Sequence, residues 1–159
     1  MNLQAQNKIW ILLANTEHAR VYCLTPNECT LVKFLDHPQS RAKNSDLVSD
    51  RPGHYKTSHI ARGEYMPRSI PHKHEHDKFA QVLSKFLERS YKDKIFHKII
   101  ICMEPYFLGL VNKHMIPVVR DSIIKTISKD YIPLSAVKLK AVLNSIKIKY
   151  GPKVMTVAF

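Results

Sequence analysis

The chain has 159 residues, of which 45% are hydrophobic, and a formal net charge of +12 at pH 7. A chain of this length suits one domain and can bury roughly 70% of the surface that it exposes when unfolded. The longest apolar run near the start, residues 9–14, is too short to span a bilayer, so we expect no membrane insertion and a cytoplasmic location. The positive charge favours an anionic partner, such as nucleic acid or an acidic protein.

Three strands are predicted in the first 36 residues. Residues 8–14 form a continuous apolar run, residues 19–24 follow a polar turn, and residues 29–36 alternate after a second turn at Pro26 and Asn27. Short connections of this kind join antiparallel neighbours. The sequence therefore predicts an amino-terminal antiparallel meander.

A long polar segment follows, residues 35–53, with the sequence LDHPQSRAKNSDLVSDRPG. It is too polar to be core, and it is longer than an ordinary connection between elements. Its acids and bases are interleaved, unlike the uniform composition of most disordered linkers. We predict a folded recognition loop here, with the basic and aromatic residues 54–71 as an extended arm beside it.

The second half predicts helices alternating with strands. A helix beginning at Pro71 carries a stripe with helical spacing: Phe79, Val82, Leu83, Phe86 and Leu87. The apolar run at 99–103 predicts a central strand with a parallel neighbour, because the preceding helix supplies the crossover. The fold class is therefore a single α/β domain with a mixed β-sheet flanked by helices.

The carboxy-terminal third predicts a short helix at 107–114, a strand at 122–128 and a last helix from about Leu134. The last helix has an apolar stripe and an outer surface of lysines. The domain should end near residue 149. We expect the tail at 150–159 to dock on a sheet edge or on a second subunit, because an exposed β-prone segment tends to find a partner, and we expect a homodimer.

The three acids of the loop are candidates for acid–base chemistry. Asp36, Asp46 and Asp50, with His37 nearby, would suit a divalent cation or a general acid and base if they converged. Irregular chain does not fix that convergence, so turn formation and ion pairing remain the alternative. We expect Asp46→Ala and Asp50→Ala to destabilise the fold by roughly 1 to 3 kcal/mol if these acids hold turns. We assign neither a catalytic residue nor a cofactor.

Six residues of the loop and arm are candidate anion ligands: Ser40, Arg41, Lys43, Arg51, Arg62 and Arg68. An arginine fork binds phosphate oxygens in pairs. Arg41 and Arg51 have loop aspartates as alternative partners. Arg62 and Arg68 have only Glu64 close by, so we expect them to bind anions better than Lys147 and Lys149 of the last helix.

The segment HKHEHD, residues 72–77, suggests a metal site. His72 and His76 are one helical turn apart, as two zinc ligands often are. The alternative is a solvated first helical turn, in which Glu75 and Asp77 complement the helix dipole, and we favour it. The three cysteines lack a CxxC pair and predict reduced, mostly buried thiols.

The loop string HPQSRAKNSDLVSDRPG, with WILLANTEHARVY before it and EPYFLGLV after it, resembles the bacterial host-attachment proteins, a family described as required for attachment to host cells. The likeness covers about residues 8–144. It implies a compact α/β domain similar to the middle domain of archaeal and eukaryotic release factors, within a group of ribosome-associated folds. Peptidyl-tRNA hydrolysis is not implied, because it uses a Gly-Gly-Gln loop and the four glycines here are never adjacent.

Two functions remain open at this point. The first is a non-enzymatic binding protein that recognises RNA, the ribosome or another anionic partner inside the cell, with an indirect role in attachment. The second is a phosphoester or ester hydrolase that uses Asp36, Asp46 and Asp50. Against the second, the sequence has no GxSxG nucleophile motif, and Cys102 lies within an apolar run.

Overall fold

The structure is a computed structural model, and it describes residues 8–40 and 70–153. Its first three strands are β1 (Ile9–Ala14), β2 (His18–Leu24) and β3 (Cys29–Asp36). The strand β2 pairs antiparallel with both β1 and β3, which confirms the predicted meander. Asn15 forms the first turn, because its side-chain oxygen accepts hydrogen bonds from the backbone N–H groups of Glu17 and His18, both 2.9 Å long.

Two further strands complete a mixed sheet. The strand β4 (Lys98–Cys102) lies parallel to β1, and β5 (Ile123–Ile127) lies parallel to β4. The five-stranded sheet has the order β3-β2-β1-β4-β5. Both edges of this described sheet are therefore known: β3 forms one and β5 the other.

Four helices accompany the sheet: α1 (Ile70–Lys92), α2 (Pro105–His114), α3 (Pro117–Asp121) and α4 (Ala136–Tyr150). The predicted helices correspond to α1, α2 and α4. The short helix α3 was not predicted. Ser135 caps α4, and its side-chain oxygen accepts a hydrogen bond from the backbone of Lys138. Among the described residues, no helix is long and apolar enough to cross a membrane.

The sheet separates two hydrophobic clusters. On one face, Trp10 and Ile99 pack with residues of α1 and α2 such as Leu83 and Phe107. On the other face, Ile11, Ile100 and their neighbours pack against α4. The fold thus has three layers. Among the described residues, α4 and the connection before it, with the buried Ile132, cover the second face.

Three sequence-based expectations need correction. Val82 was placed in the core stripe of α1, but it is 50% exposed, whereas Leu83 is fully buried. Glu75 was placed in a solvated first turn, but it lies in the second turn of α1 and is buried. Of the three free cysteines, only Cys102 is buried, and burial raises the pKa of its thiol to about 12.

Candidate functional site

The structure describes five of the predicted site residues: Asp36, His37, Ser40, His72 and His76. The others lie outside the described residues, namely Arg41, Lys43, Asp46, Asp50, Arg51, Arg62 and Arg68. The convergence of the three loop acids therefore stays a prediction. So do the anion-binding roles of the loop and arm, because Ser40 is the only one of their six candidates within the described residues.

A partly buried hydrogen-bonded cluster lies at the point where the chain leaves β3. His37 follows β3 directly, and its ring stacks on Phe79 of α1 with 5.2 Å between ring centroids. Its Nε2 lies 3.0 Å from Oε2 of Glu75, whose side chain is only 12% exposed. Lys78 donates to the other carboxylate oxygen over 3.1 Å. Glu75 therefore has a charge-assisted hydrogen bond at each oxygen.

These contacts determine the charge state of Glu75. Burial alone would raise the pKa of its carboxyl group, because it disfavours the charged form. Hydrogen bonds and positive charge from Lys78 and His37 outweigh burial, and the pKa of Glu75 lies below its ordinary value. Glu75 is thus held as a carboxylate against the edge of the core.

A second contact joins the two ends of the undescribed segment 41–69. Nδ1 of His72 lies 3.2 Å from the backbone oxygen of Ser40. Since a carbonyl only accepts, the proton of the neutral His72 ring is on Nδ1. We call these four residues, His37, Ser40, His72 and Glu75, the loop base. The loop base brings together Ser40 and His72, which lie on either side of segment 41–69.

The pair His72 and His76 has part of the geometry of a metal site. Nδ1 of His76 lies 3.2 Å from the Tyr106 hydroxyl, so both rings are oriented through Nδ1, and a metal ion would have to take their Nε2 atoms. Burial, followed by the charge of His72, lowers the pKa of His76 and favours its neutral form. However, no group of three His, Cys, Asp or Glu residues within 8–40 and 70–153 is arranged to hold a metal ion. The metal site stays a prediction.

The other acids of this region pair with histidines. Asp36 lies 2.8 Å from Nδ1 of His18, and Asp77 lies 2.9 Å from Nε2 of His114 on α2. The hydrogen bond from His114 is the main cause of the lowered pKa of Asp77. Asp77 therefore links α1 to α2, and Asp36 has a structural role beside any catalytic one.

The positive charge of the described chain is concentrated on the side of α4. Residues 122–153 contain one acid, Asp130, and seven lysines: Lys125, Lys129, Lys138, Lys140, Lys147, Lys149 and Lys153. The carboxylate of Asp130 accepts hydrogen bonds from Asn15 and from the backbone of Ile132. In the part of the chain that the structure describes, none of the seven lysines forms an ion pair, whereas Lys78 and Lys92 of α1 are both paired. We call this surface the α4 surface.

Two grooves flank α4. The groove on the β5 side has a volume of about 340 Å³ and is lined by Lys125, Tyr131, Lys149 and Tyr150, among others. The groove on the other side, about 430 Å³, lies between α4 and the β2–β3 hairpin. The sequence indicated the lysines of α4, but the grooves depend on how α4 crosses the sheet and have no signal in the sequence.

The mixed five-stranded sheet with helices on both faces defines a single-domain α/β protein. A family model described as "Protein required for attachment to host cells" matches residues 10–143. The chain belongs to this family, which confirms the resemblance seen in its sequence. No curated protein matches the chain.

Several solved structures are similar to the chain, and three of them are described here. An archaeal translation termination factor, aRF1, has 9% identity and a TM-score of 0.48, with 90% of this chain and 40% of that chain covered. Dom34 of S. cerevisiae, a translation termination-like factor, has 13% identity and a TM-score of 0.43, with 93% and 39% covered. A structure described as an archaeal protein has 11% identity and a TM-score of 0.45, with 92% and 40% covered. The chain thus spans about 40% of the length of these proteins, and TM-scores below 0.5 carry no argument about function.

Proposed function

We propose that the protein is a non-enzymatic binding protein that recognises RNA, alone or in the ribosome, through the α4 surface. The observation that carries this proposal is the charge of residues 122–153, which contain seven lysines and one acid. Among the described residues, none of these seven lysines forms an ion pair. Lysines that lack protein carboxylates are free to contact phosphates, and each such contact releases counterions from the nucleic acid. The proposal places the protein in the cytoplasm and makes any role in attachment to host cells indirect.

The surface of α4 offers contacts for bases as well as for phosphates. The helix has four lysines and no acid, yet Val137 and Ile148 on its outside are also exposed. Tyr131 and Tyr150 line the adjoining groove together with Lys125 and Lys149. Aromatic and apolar side chains beside cations suit RNA bases, which stack on such side chains while lysines contact the backbone.

An RNA-binding series at several salt concentrations tests the proposal. For the double variant Lys138→Gln and Lys140→Gln, we expect about tenfold weaker binding of a single-stranded RNA oligonucleotide at low salt. The slope of log affinity against log salt should fall in magnitude by about 1.4, since each phosphate contact to a single strand contributes about 0.7. Fluorescence anisotropy with labelled RNA gives both quantities.

The matched control is Lys73→Gln with Lys85→Gln, which removes the same charge from α1. These lysines lie on a helix that also carries three acids, and we expect less than a twofold change. Equal losses in the two double variants would show that net charge alone attracts RNA, and no binding by the parent protein would refute the proposal.

The same assay compares the contribution of the arm, residues 54–71, to RNA affinity with that of α4. We expect Arg62→Ala with Arg68→Ala to weaken RNA binding more than Lys147→Ala with Lys149→Ala, because arginine binds phosphate through two N–H groups. The arm and the α4 surface would then act together. Loss of a measured hydrolase activity in Asp46→Ala or Asp50→Ala, with unchanged thermal stability, would favour the alternative function instead.

A further inference from the structure

The groove between α4 and the β2–β3 hairpin, here called the hairpin groove, is mainly apolar. Leu139 and Leu143 of α4 and Tyr22 of β2 are buried where they line it, and Cys29 at the start of β3 contributes a partly exposed thiol. Lys147 stands in the wall on the α4 side. An apolar groove of about 430 Å³ is large enough for several side chains of a peptide segment.

Apolar surface extends from this groove onto β3. Leu31 and Phe34 are 51% and 48% exposed. They are the direct partners of Tyr22 and Arg20 in the sheet, and cross-strand partners project to the same face. The sheet face beside the hairpin groove therefore presents hydrophobic side chains that the described residues leave about half exposed.

The chain leaves α4 near the ends of both grooves. The backbone N–H of Gly151 donates to the carbonyl of Lys147 over 2.9 Å, and a Cβ on Gly151 would lie 2.4 Å from that oxygen. A side chain does not fit at that distance, so glycine permits a close approach to the turn of α4 that carries Lys147. The chain that follows thus starts one helical turn beyond Lys147, which lines the hairpin groove, and directly after Tyr150, which lines the groove on the β5 side. The hairpin groove is the more apolar of the two and is therefore the better site for an apolar segment.

We propose that residues 154–159, VMTVAF, occupy the hairpin groove of their own chain. Six extended residues span about 20 Å, and the groove-lining residues of α4, from Ala136 to Lys147, span about 16 Å. The side chains of the segment carry no charge, in a chain with a net charge of +12, so they can enter an apolar groove without desolvating an ion. This inference is independent of RNA binding, and it replaces the expected sheet edge by a specific groove.

Other occupants fit less well. A second copy of this chain would bring a net charge of +12 towards a groove lined by two lysines, Lys140 and Lys147, and one acid, Glu28, and the excess positive charge opposes it. RNA phosphates gain nothing from Leu139 and Leu143 on the floor of the groove. The chain's own segment is also present at a high effective concentration, because its attachment point is adjacent.

Cys29 reports on the occupancy of the groove. We expect deletion of residues 154–159 to increase the rate at which maleimide modifies Cys29 at least tenfold, measured by peptide mass spectrometry. Cys23 should keep its rate, because it packs against the cluster on the other face of the sheet. Cys102 should stay unreactive and shows that the shortened chain is folded.

A peptide added in trans completes the experiment. Residues 153–159 as a free peptide should restore protection of Cys29 in the shortened chain, whereas the same peptide with Val154→Asp and Val157→Asp should not. If deletion unfolds the chain, so that Cys102 reacts, Val157→Asp in the full chain replaces the deletion. Equal Cys29 rates with and without an intact segment would overturn the proposal. Protection that rises with protein concentration, with a dimer mass by light scattering, would also overturn it, because it would assign the segment to a second copy.

Discussion

Replacing Leu83 by alanine is expected to lower the free energy of unfolding by about 3–5 kcal/mol, whereas Val82→Ala should change it by less than about 1 kcal/mol. Leu83 is fully buried in the cluster between the sheet and α1, so its loss leaves a cavity. Val82 is half exposed, and alanine favours a helix more than valine does, which offsets the lost contacts.

Urea denaturation of the two variants, at equal protein concentration, measures this difference through the transition midpoint. The two substitutions affect neighbouring residues of the same helix, so they probe the same part of the fold. A similar loss of unfolding free energy in both variants would mean that Val82 is buried as well, and that α1 packs on the sheet through a different face.

This pair shows how far periodicity alone could predict the fold. The spacing of apolar residues correctly placed Phe79, Leu83 and Leu87 on the buried side of α1. It misplaced Val82. The helix α1 packs against both the sheet and α2, and the contact with α2 buries the side of α1 that carries Ser84 instead of the side that carries Val82. There, Ser84 is buried, and its hydroxyl lies 2.8 Å from the oxygen of Ala80 and 3.1 Å from that of Val111 on α2, so that it can donate to either. A buried serine of this kind looks like a surface residue in the sequence.

The sheet was easier to predict than the connections. The strands have clear apolar runs and turn residues, and the crossover through α1 required a parallel neighbour for β4. The helix α3 has only five residues, PVVRD, too few to show a helical period. Pro117 at its start was the one available signal, since proline favours the first turn of a helix.

The loop base was missed because its partners are far apart in sequence. His37 and Glu75 are separated by 38 residues, and the segment around Glu75 is strongly polar. One signal was present: Glu75 lies four residues before the buried Phe79, and residues at this spacing share a helix face. A carboxylate on the core side of a helix needs partners, which His37 and Lys78 provide.

Replacing Glu75 by alanine is accordingly expected to cost about 2 kcal/mol of unfolding free energy at pH 7, because it leaves the poorly solvated His37 without its acceptor, whereas the exposed Lys78 regains water. Glu75→Gln keeps the shape and one acceptor oxygen, and its cost should be intermediate. Glu88→Ala is the control, since Glu88 pairs with Lys92 at the surface of the same helix and should contribute less than about 1 kcal/mol.

The pH dependence of this loss distinguishes a charged pair from simple packing. In the folded protein the pKa of Glu75 lies below its ordinary value, which is about 4.3 in an unfolded chain. The carboxylate therefore stabilises the fold fully above that value, and this contribution disappears as the pH falls through the folded pKa. The difference between the parent protein and Glu75→Ala should accordingly shrink when urea denaturation is repeated well below pH 4. A difference that is the same at pH 7 and at low pH would show that the charge of Glu75 does not hold the loop base together.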